Sequence, residues 1–421
     1  MTAPKILLVA GTRPEAIKLA PVADRMTAAG LLDPCLVASG QHPEMVRQAL
    51  AAFGREPDRT VRLERRTGSQ PELLARLVEG LDPLVASSGA AAVVVQGDTT
   101  TTLAAALVAF WRRLPVVHLE AGLRSYDLAA PFPEEANRRL VGPLAARHLA
   151  PTAVAAANLV REGVPARDVL VTGNTVVDAV TAVAARRAPY SDPRLSTVDA
   201  AARARGERLL LVTAHRRESW GPPLDGILTA VRRLVAERPW LRVVLPAHPN
   251  PAVRAQVDAA LSTEDRVLVT GPLPYADFAQ LLSVAHLVLS DSGGVQEEAP
   301  SFGVPVLVLR EVTERTEAVD AGCARLVGTD PDRIAKEAAL LLDDSAARAE
   351  MVAAGNPFGD GRAARRSAQA VAALLGLAAA PEPFQRSVAS LRPRSASALR
   401  RVLAQPLRRR AIRDAARQQV T

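Results

Sequence analysis

Ser292, Gly293 and Gly294 follow the apolar run Leu287–Leu289 and precede a helix-compatible stretch, Val295 to Pro300, an order that suits phosphate chemistry. Small residues let backbone N–H groups approach a phosphate, and the start of a helix adds partial positive charge. Glu298, about one turn into that helix, is spaced to accept hydrogen bonds from vicinal ribose hydroxyls. Arg315, beyond the next apolar run, adds a fixed cation. Diphosphate, ribose and cation in that order describe a nucleoside-diphosphate site. Taken alone, the same residues also describe a strand-turn-helix corner with a surface Glu, so the reading needs support elsewhere in the chain.

The other half of the chain carries a matching set. Arg13 and Lys18 follow the apolar run Ile6–Ala10, with Pro14 where a helix start tolerates a missing N–H. Asp98 closes the run Ala92–Val95, Glu120 follows Val116–His118, and Glu134 lies in PFPEEANRR. His215 comes just after Leu209–Thr213. Each has an ordinary explanation: Asp98 as an N-cap, Glu134 and Glu135 as complements to a helix dipole, His215 as a polar loop residue. Together, three carboxylates and an imidazole at strand ends suit proton transfer on a phosphate-bearing substrate. The six His include no HxxxH pair, and Cys35 and Cys323 match no metal spacing, so no metal is expected. No GxGxxG fingerprint occurs, and no cofactor is expected.

Those residues need elements that bring them together. Apolar runs alternate with helix-compatible segments throughout, the pattern of an α/β protein with parallel sheets covered on both faces. Strands are expected at Lys5–Ala10, Cys35–Ala38, Ala92–Val95, Val116–His118 and Leu149–Ala150. The pattern restarts at Arg208–Thr213 and continues at Val243–Pro246, Val267–Thr270, Leu287–Ser290 and Val306–Leu309. A hinge is expected near Gly173–Thr175, which suits a chain of 421 residues divided into two domains of ordinary size. The ligand cleft then falls between the two sheets, at the carboxyl ends of their strands.

Composition narrows the partners. Aromatic residues make up only 3% of the chain, too few for stacking platforms on single-stranded nucleic acid. No apolar run is long enough to span a bilayer. The first strand leads straight into Gly-Thr-Arg-Pro-Glu, unlike a signal peptide, and the two Cys read as buried thiols of a reduced cytoplasm. The pI of 10.3 resembles a nucleic-acid signal until the charge is located. From Leu377 onward there are ten Arg and two acids, a net of +8 that equals the net charge of the whole chain. The body is therefore neutral, and the excess sits in a Ser/Pro/Arg-rich tail expected to be solvated and disordered, with no nucleic-acid partner. Within it, 395–403 and 407–418 are each compatible with a basic amphipathic helix against an anionic surface.

Six motifs carry a resemblance: GTRPEAIKLAP (11–21), GDTTTTLAAALVAF (97–110), HLEAGLRSYDLAAPFPEEANRR (118–139), GNTVVDA (173–179), VTAHRRESWG (212–221) and the block 290–318. Together they resemble the non-hydrolysing UDP-N-acetylglucosamine 2-epimerases, in order and spacing, over about residues 4 to 376. The resemblance implies two Rossmann-like domains in a glycosyltransferase-B-like arrangement with the active site between them. The expected division is 1–172 for the first domain, 173–360 for the UDP-binding domain, 361–376 for a helix crossing back onto the first, and 377–421 for the tail.

The same resemblance implies roles. Asp98, Glu120 and Glu134 match acidic residues of proton transfer and elimination, and the sequence leaves open which is the base. His215 resembles the residue that contacts the departing diphosphate, and Arg13 and Lys18 the first-domain contacts to phosphate and sugar. Ser292, Gly293 and Gly294 would donate N–H groups to phosphate, Glu298 would bind ribose, Arg315 would sit near the phosphates and Phe278 against uracil. Gln41, His42, Gln70 and His248 resemble a second, allosteric UDP-GlcNAc site. The chain departs from the family pattern at Ser69, Leu273 and Thr316. The implied activity is reversible epimerisation of a UDP-sugar substrate, UDP-GlcNAc to UDP-ManNAc, supplying ManNAc for cell-surface polysaccharide, by a homodimer. Alternatives are an epimerase of a modified UDP-sugar, a UDP-sugar transferase of the same fold, and a sugar-nucleotide-binding regulator without catalysis.

Overall fold

The structure, a computed structural model, describes residues 2–204 and 206–385. Strands β1 (Lys5–Ala10), β2 (Asp33–Ala38), β3 (Arg59–Thr60), β4 (Ala92–Gln96), β5 (Val116–Leu119), β6 (Arg147–Ala150) and β7 (Val169–Val171) form one sheet, in the order β3-β2-β1-β4-β5-β6-β7. Strands β8 (Arg208–Thr213), β9 (Leu241–Pro246), β10 (Val267–Thr270), β11 (Ala285–Ser290), β12 (Val306–Val308) and β13 (Ala324–Leu326) form the other, in the order β10-β9-β8-β11-β12-β13. Every pairing is parallel. Strand order reverses between β1 and β4 and again between β8 and β11, so a crevice opens at those strand ends in each lobe.

The strands read as continuous apolar runs because helices cover both faces. Along β1, Ile6 and Leu8 enter one core cluster while Leu7 and Val9 enter another. Along β8, Leu209 and Leu211 join the cluster that holds Ile6, and Leu210 and Val212 point to the outer core of the second lobe. The inner faces of the two sheets thus share one apolar core, bridged by Val176, Val180 and Val183 of the helix Thr175–Ala185. That helix follows the expected hinge and is capped by Asn174, whose side-chain oxygen accepts the Val176 N–H at 3.1 Å. Its Asp178 in turn accepts the N–H groups of Ala363 and Ala364, capping the helix Ala363–Leu374, which packs back on the first-lobe helix Arg13–Ala29.

Several expectations change in detail. Strands β3, β7 and β13 were not expected; each is only two or three residues long and lies at or near a sheet end, too short for a clear pattern. The helix expected from Val295 begins at Gly293 and runs to Glu298, because Ser292 is its N-cap and a 3-10 turn takes over at Ala299. Cys35, on β2, is half-buried against the cluster that holds Leu7, and of the two cysteines only Cys323 is fully buried. The tail also starts later than 377: Pro381 is buried, and the Phe384 N–H donates to the Val171 carbonyl at the β7 edge, with Arg366 over its ring. The two basic segments at 395–403 and 407–418 lie outside the described residues.

Gly11, between β1 and its helix, marks where the first-lobe loops crowd. A Cβ there would collide with the Thr101 hydroxyl, itself bonded to Ser39 and Gln41. Gly11→Ala is expected to destabilise the protein by about 1–3 kcal/mol in urea unfolding, as overpacking does. An unchanged midpoint would show that the first turn of the helix Thr100–Trp111 yields freely.

Candidate active site

The loops at the two crevices carry the candidate residues. In the second lobe, Asp291 at the end of β11 is fully buried and accepts the N–H groups of His215 and Arg216 at 3.0 and 2.9 Å and the Ser219 hydroxyl at 2.8 Å. It anchors the loop after β8 and so places His215. Ser292 is the N-cap of the short helix, and its N–H donates to the Ser290 hydroxyl at 3.0 Å. Gly293 lies against Arg315: a Cβ there would stand 3.3 Å from the guanidinium carbon. Glycine therefore lets the cation lie over the helix start.

Lys18 reaches across from the first lobe. Its ammonium pairs with Glu120, at the end of β5, and lies 3.8 Å from Glu297 of the second lobe. Glu297 accepts from Arg315 at 2.9 Å and from the Asn174 side chain at 3.2 Å. Gln96, from β4, donates to Glu120 at 2.8 Å. Glu120 itself has φ 62°, a left-handed conformation that a non-glycine residue holds only against a cost of roughly 1–2 kcal/mol. Such strain is typical of a residue fixed for a task.

Asp98 stands at the head of the helix Thr100–Trp111 and is held by Arg138, with a nitrogen-to-oxygen separation of 2.6 Å. Asn137 donates to the Asp98 carbonyl at 2.9 Å. Both supports come from the helix Glu134–Val141, in which Glu135 is fully buried and pairs with Arg138 at 3.1 Å. Glu134, the first residue of that helix, is half-buried beside this cluster. Glu15 ties the two first-lobe loops together. Its carboxylate accepts the N–H groups of Gly11 and Thr12 and the hydroxyls of Thr12, Thr99 and Thr102.

Burial shapes the protonation states. Burial alone would raise Glu120, but Lys18, with Arg315 and Arg138 behind it, holds its carboxyl below the ordinary value. Burial alone would lower Lys18, yet Glu120 and Glu297 keep it charged and raise it. His215 is lowered by burial, with His248 and Arg13 adding to the effect against Asp291. Glu298, bonded to the Tyr275 hydroxyl at 3.1 Å, is raised by burial to about 7. The charge of Arg13, at the exposed start of its helix, reaches His215, Tyr275 and Glu298 across the cleft. Phe278 is half-buried on the helix Tyr275–Val284, packed against the shared core.

The candidate effector residues divide. Gln41 and Gln70 meet at the Asp98 helix, accepting the Thr101 and Thr100 hydroxyls at 2.8 and 2.9 Å. His42 is exposed as the N-cap of the helix Pro43–Ala51. His248 belongs to the second lobe, its ring 5.1 Å from that of Trp220. The sequence reading had missed Glu15, Gln96, Asp291, Glu297 and Arg138. Only Glu15 had a local signal, since Thr12-x-x-Glu15 at a helix start is a capping-box pattern.

A family model described as UDP-N-acetylglucosamine 2-epimerase matches residues 24–372. The chain belongs to the UDP-N-acetylglucosamine 2-epimerase family. A Yersinia pestis UDP-N-acetylglucosamine 2-epimerase is 43% identical over 368 residues, covering 87% of this chain and 98% of its own. Among solved structures, S. aureus MnaA with UDP matches with TM-score 0.79 and 40% identity over 91% of this chain and all of its own. The Neisseria meningitidis UDP-GlcNAc 2-epimerase bound to UDP-GlcNAc matches with TM-score 0.76 and 38% identity, covering 88% and 100%. As in these solved structures, the fold is α/β with two Rossmann-like lobes in a glycosyltransferase-B-like arrangement. Among the described residues, no helix is long and apolar enough to cross a membrane.

Glu298 gives this epimerase-family cleft a pH signature. Its carboxyl rises from 4.5 to about 7 on folding, so the native state holds the proton more tightly than the unfolded chain. The stability it contributes is complete below the unfolded value and lost as pH rises through the folded one. Glu298→Gln, which stays neutral, is expected to melt higher than the parent near pH 8 and to lose that advantage near pH 5. A melting difference independent of pH would contradict the assignment.

Proposed function

We propose that this protein interconverts UDP-N-acetylglucosamine and UDP-N-acetylmannosamine by eliminating and re-adding UDP. The observation that carries the reading is the convergence of Lys18, Arg315, Glu120 and Glu297 from opposite lobes into one gap, with Asp98 held by Arg138 at its first-lobe side. The C2 hydrogen of this sugar is not adjacent to a carbonyl, so direct deprotonation is far too slow. Coupling it to departure of the C1 substituent removes that obstacle. A carboxylate takes the C2 proton, the C1–O bond breaks toward UDP, and 2-acetamidoglucal forms. UDP oxygen then re-bonds to C1 while a second acid delivers a proton to the opposite face of C2.

This chemistry needs a base, an acid on the other face and cations that keep UDP in place. Asp98, Glu120 and Glu134 would supply the proton-transfer groups. In Glu120, Oε2 already accepts from Lys18 and Gln96, so Oε1 is the oxygen with capacity for a substrate proton. Arg13, Lys18, Arg315 and the N–H groups at Ser292, Gly293 and Gly294 would hold the diphosphate, and His215, neutral through its lowered pKa, would assist its departure. Glu298 would bind ribose and Phe278 would face uracil. An effector UDP-GlcNAc seated by Gln41, His42, Gln70 and His248 would act through Thr100 and Thr101, beside Asp98. We assign the product to cell-surface polysaccharide supply in the cytoplasm and the working form to a homodimer.

Turnover in D2O tests the mechanism: deuterium is expected at C2 of both UDP-sugars, and recovered sugars without deuterium at C2 would exclude elimination and re-addition. Asp98→Asn is expected to abolish epimerisation while UDP still binds by calorimetry. Retention of most activity would remove Asp98 from the chemistry.

A further inference from the structure

Glu297 is an acidic residue, 1% exposed and placed where four segments meet. One oxygen accepts from Arg315 at the start of the helix Thr316–Ala321. The other accepts from Asn174, the cap of the hinge helix, and faces Lys18 of the first lobe at 3.8 Å. Its backbone carbonyl accepts the Asn356 side chain at 2.8 Å, in the loop that leads to the crossover helix. The neighbouring Glu298 points instead to Tyr275, so the two acids of the Gln-Glu-Glu run serve different surroundings. Glu297 therefore shares both cations that the reading above gives to the diphosphate, and it does so from the point where the lobes join.

We propose that Glu297 is a positioning residue that competes with the UDP diphosphate for Lys18 and Arg315, setting how tightly UDP is held and how Lys18 is divided between Glu120 and the phosphate. This rests on the proposed epimerase reaction. Its logic is Coulombic: two cations face carboxylates in a low-dielectric gap, and a diphosphate arriving there meets the charge of Glu297 as well as theirs. The competition serves a reaction in which UDP must leave C1 and then attack it again. Cations held only by UDP would over-stabilise the separated anion, slowing its return. With Glu297 neutral, Lys18 would pair more fully with Glu120, leaving that carboxylate a weaker base.

Glu297→Gln keeps the shape and removes the charge. It is expected to bind UDP about three- to tenfold more tightly in calorimetry while kcat falls by about tenfold or more. A residue that merely supports the fold would weaken UDP binding and turnover together. Unchanged or weaker UDP binding, or undiminished kcat, would overturn the proposal. Glu297→Asp, which keeps the charge, is expected to bind UDP within about twofold of the parent; tightening there too would show that charge is not the cause. The parent protein in the same assay separates the two ideas, since its failure to form UDP-ManNAc would reject the epimerase reading itself.

Discussion

The ammonium of Lys18, shared between Glu120 of its own lobe and Glu297 of the other, is the interaction on which the site depends. A buried charge without a partner costs several kcal/mol, and removing one member of a buried pair is correspondingly severe. Here a first-lobe cation is balanced by one carboxylate from each lobe, and Arg315 completes the set. The pairing therefore joins the lobes through charge, while the shared apolar core joins them through packing. The Thr152 hydroxyl adds a further link, donating to Glu317 at 2.9 Å.

Around that centre, polar support is built in layers. Glu15 locks the loop after β1 to the loop after β4, Arg138 and Asn137 hold Asp98, and Asp291 holds the backbone of His215. Under the proposed reaction none of these four residues needs to touch substrate to matter, because each sets the position of a residue that would. His118 belongs with them. Burial lowers it to about 3, so it is neutral, and because a carbonyl only accepts, its Nε2 carries the proton bonded to Gly97 at 2.7 Å, next to Asp98. In the proposed reaction, a small set of reacting groups would thus be held by a larger set of fixed dipoles and charges.

The two-sheet architecture was legible because buried parallel strands are apolar on both faces, as ILLV in β1 and LLLV in β8 show without any alternation. The crevice residues were legible too, since Asp98, Glu120 and His215 directly follow such runs. Positions along the short helix after β11 were not. Successive residues on that helix, which starts at Gly293, point about 100° apart. Glu297 and Glu298 are chemically identical in the sequence, and only packing separates the one beside Lys18 from the one beside Tyr275. Arg138 and Asp291 were missed for a related reason: their partners lie 40 and 76 positions away, and no local pattern marks such a bond.

A crystal structure of this protein with UDP tests the central claim most directly. The Lys18 ammonium and the Arg315 guanidinium are expected within hydrogen-bonding distance, about 3 Å, of diphosphate oxygens, with Glu297 still adjoining both cations. UDP seated with its diphosphate remote from Lys18 and Arg315, and the Lys18–Glu120 and Arg315–Glu297 pairs undisturbed, would contradict it.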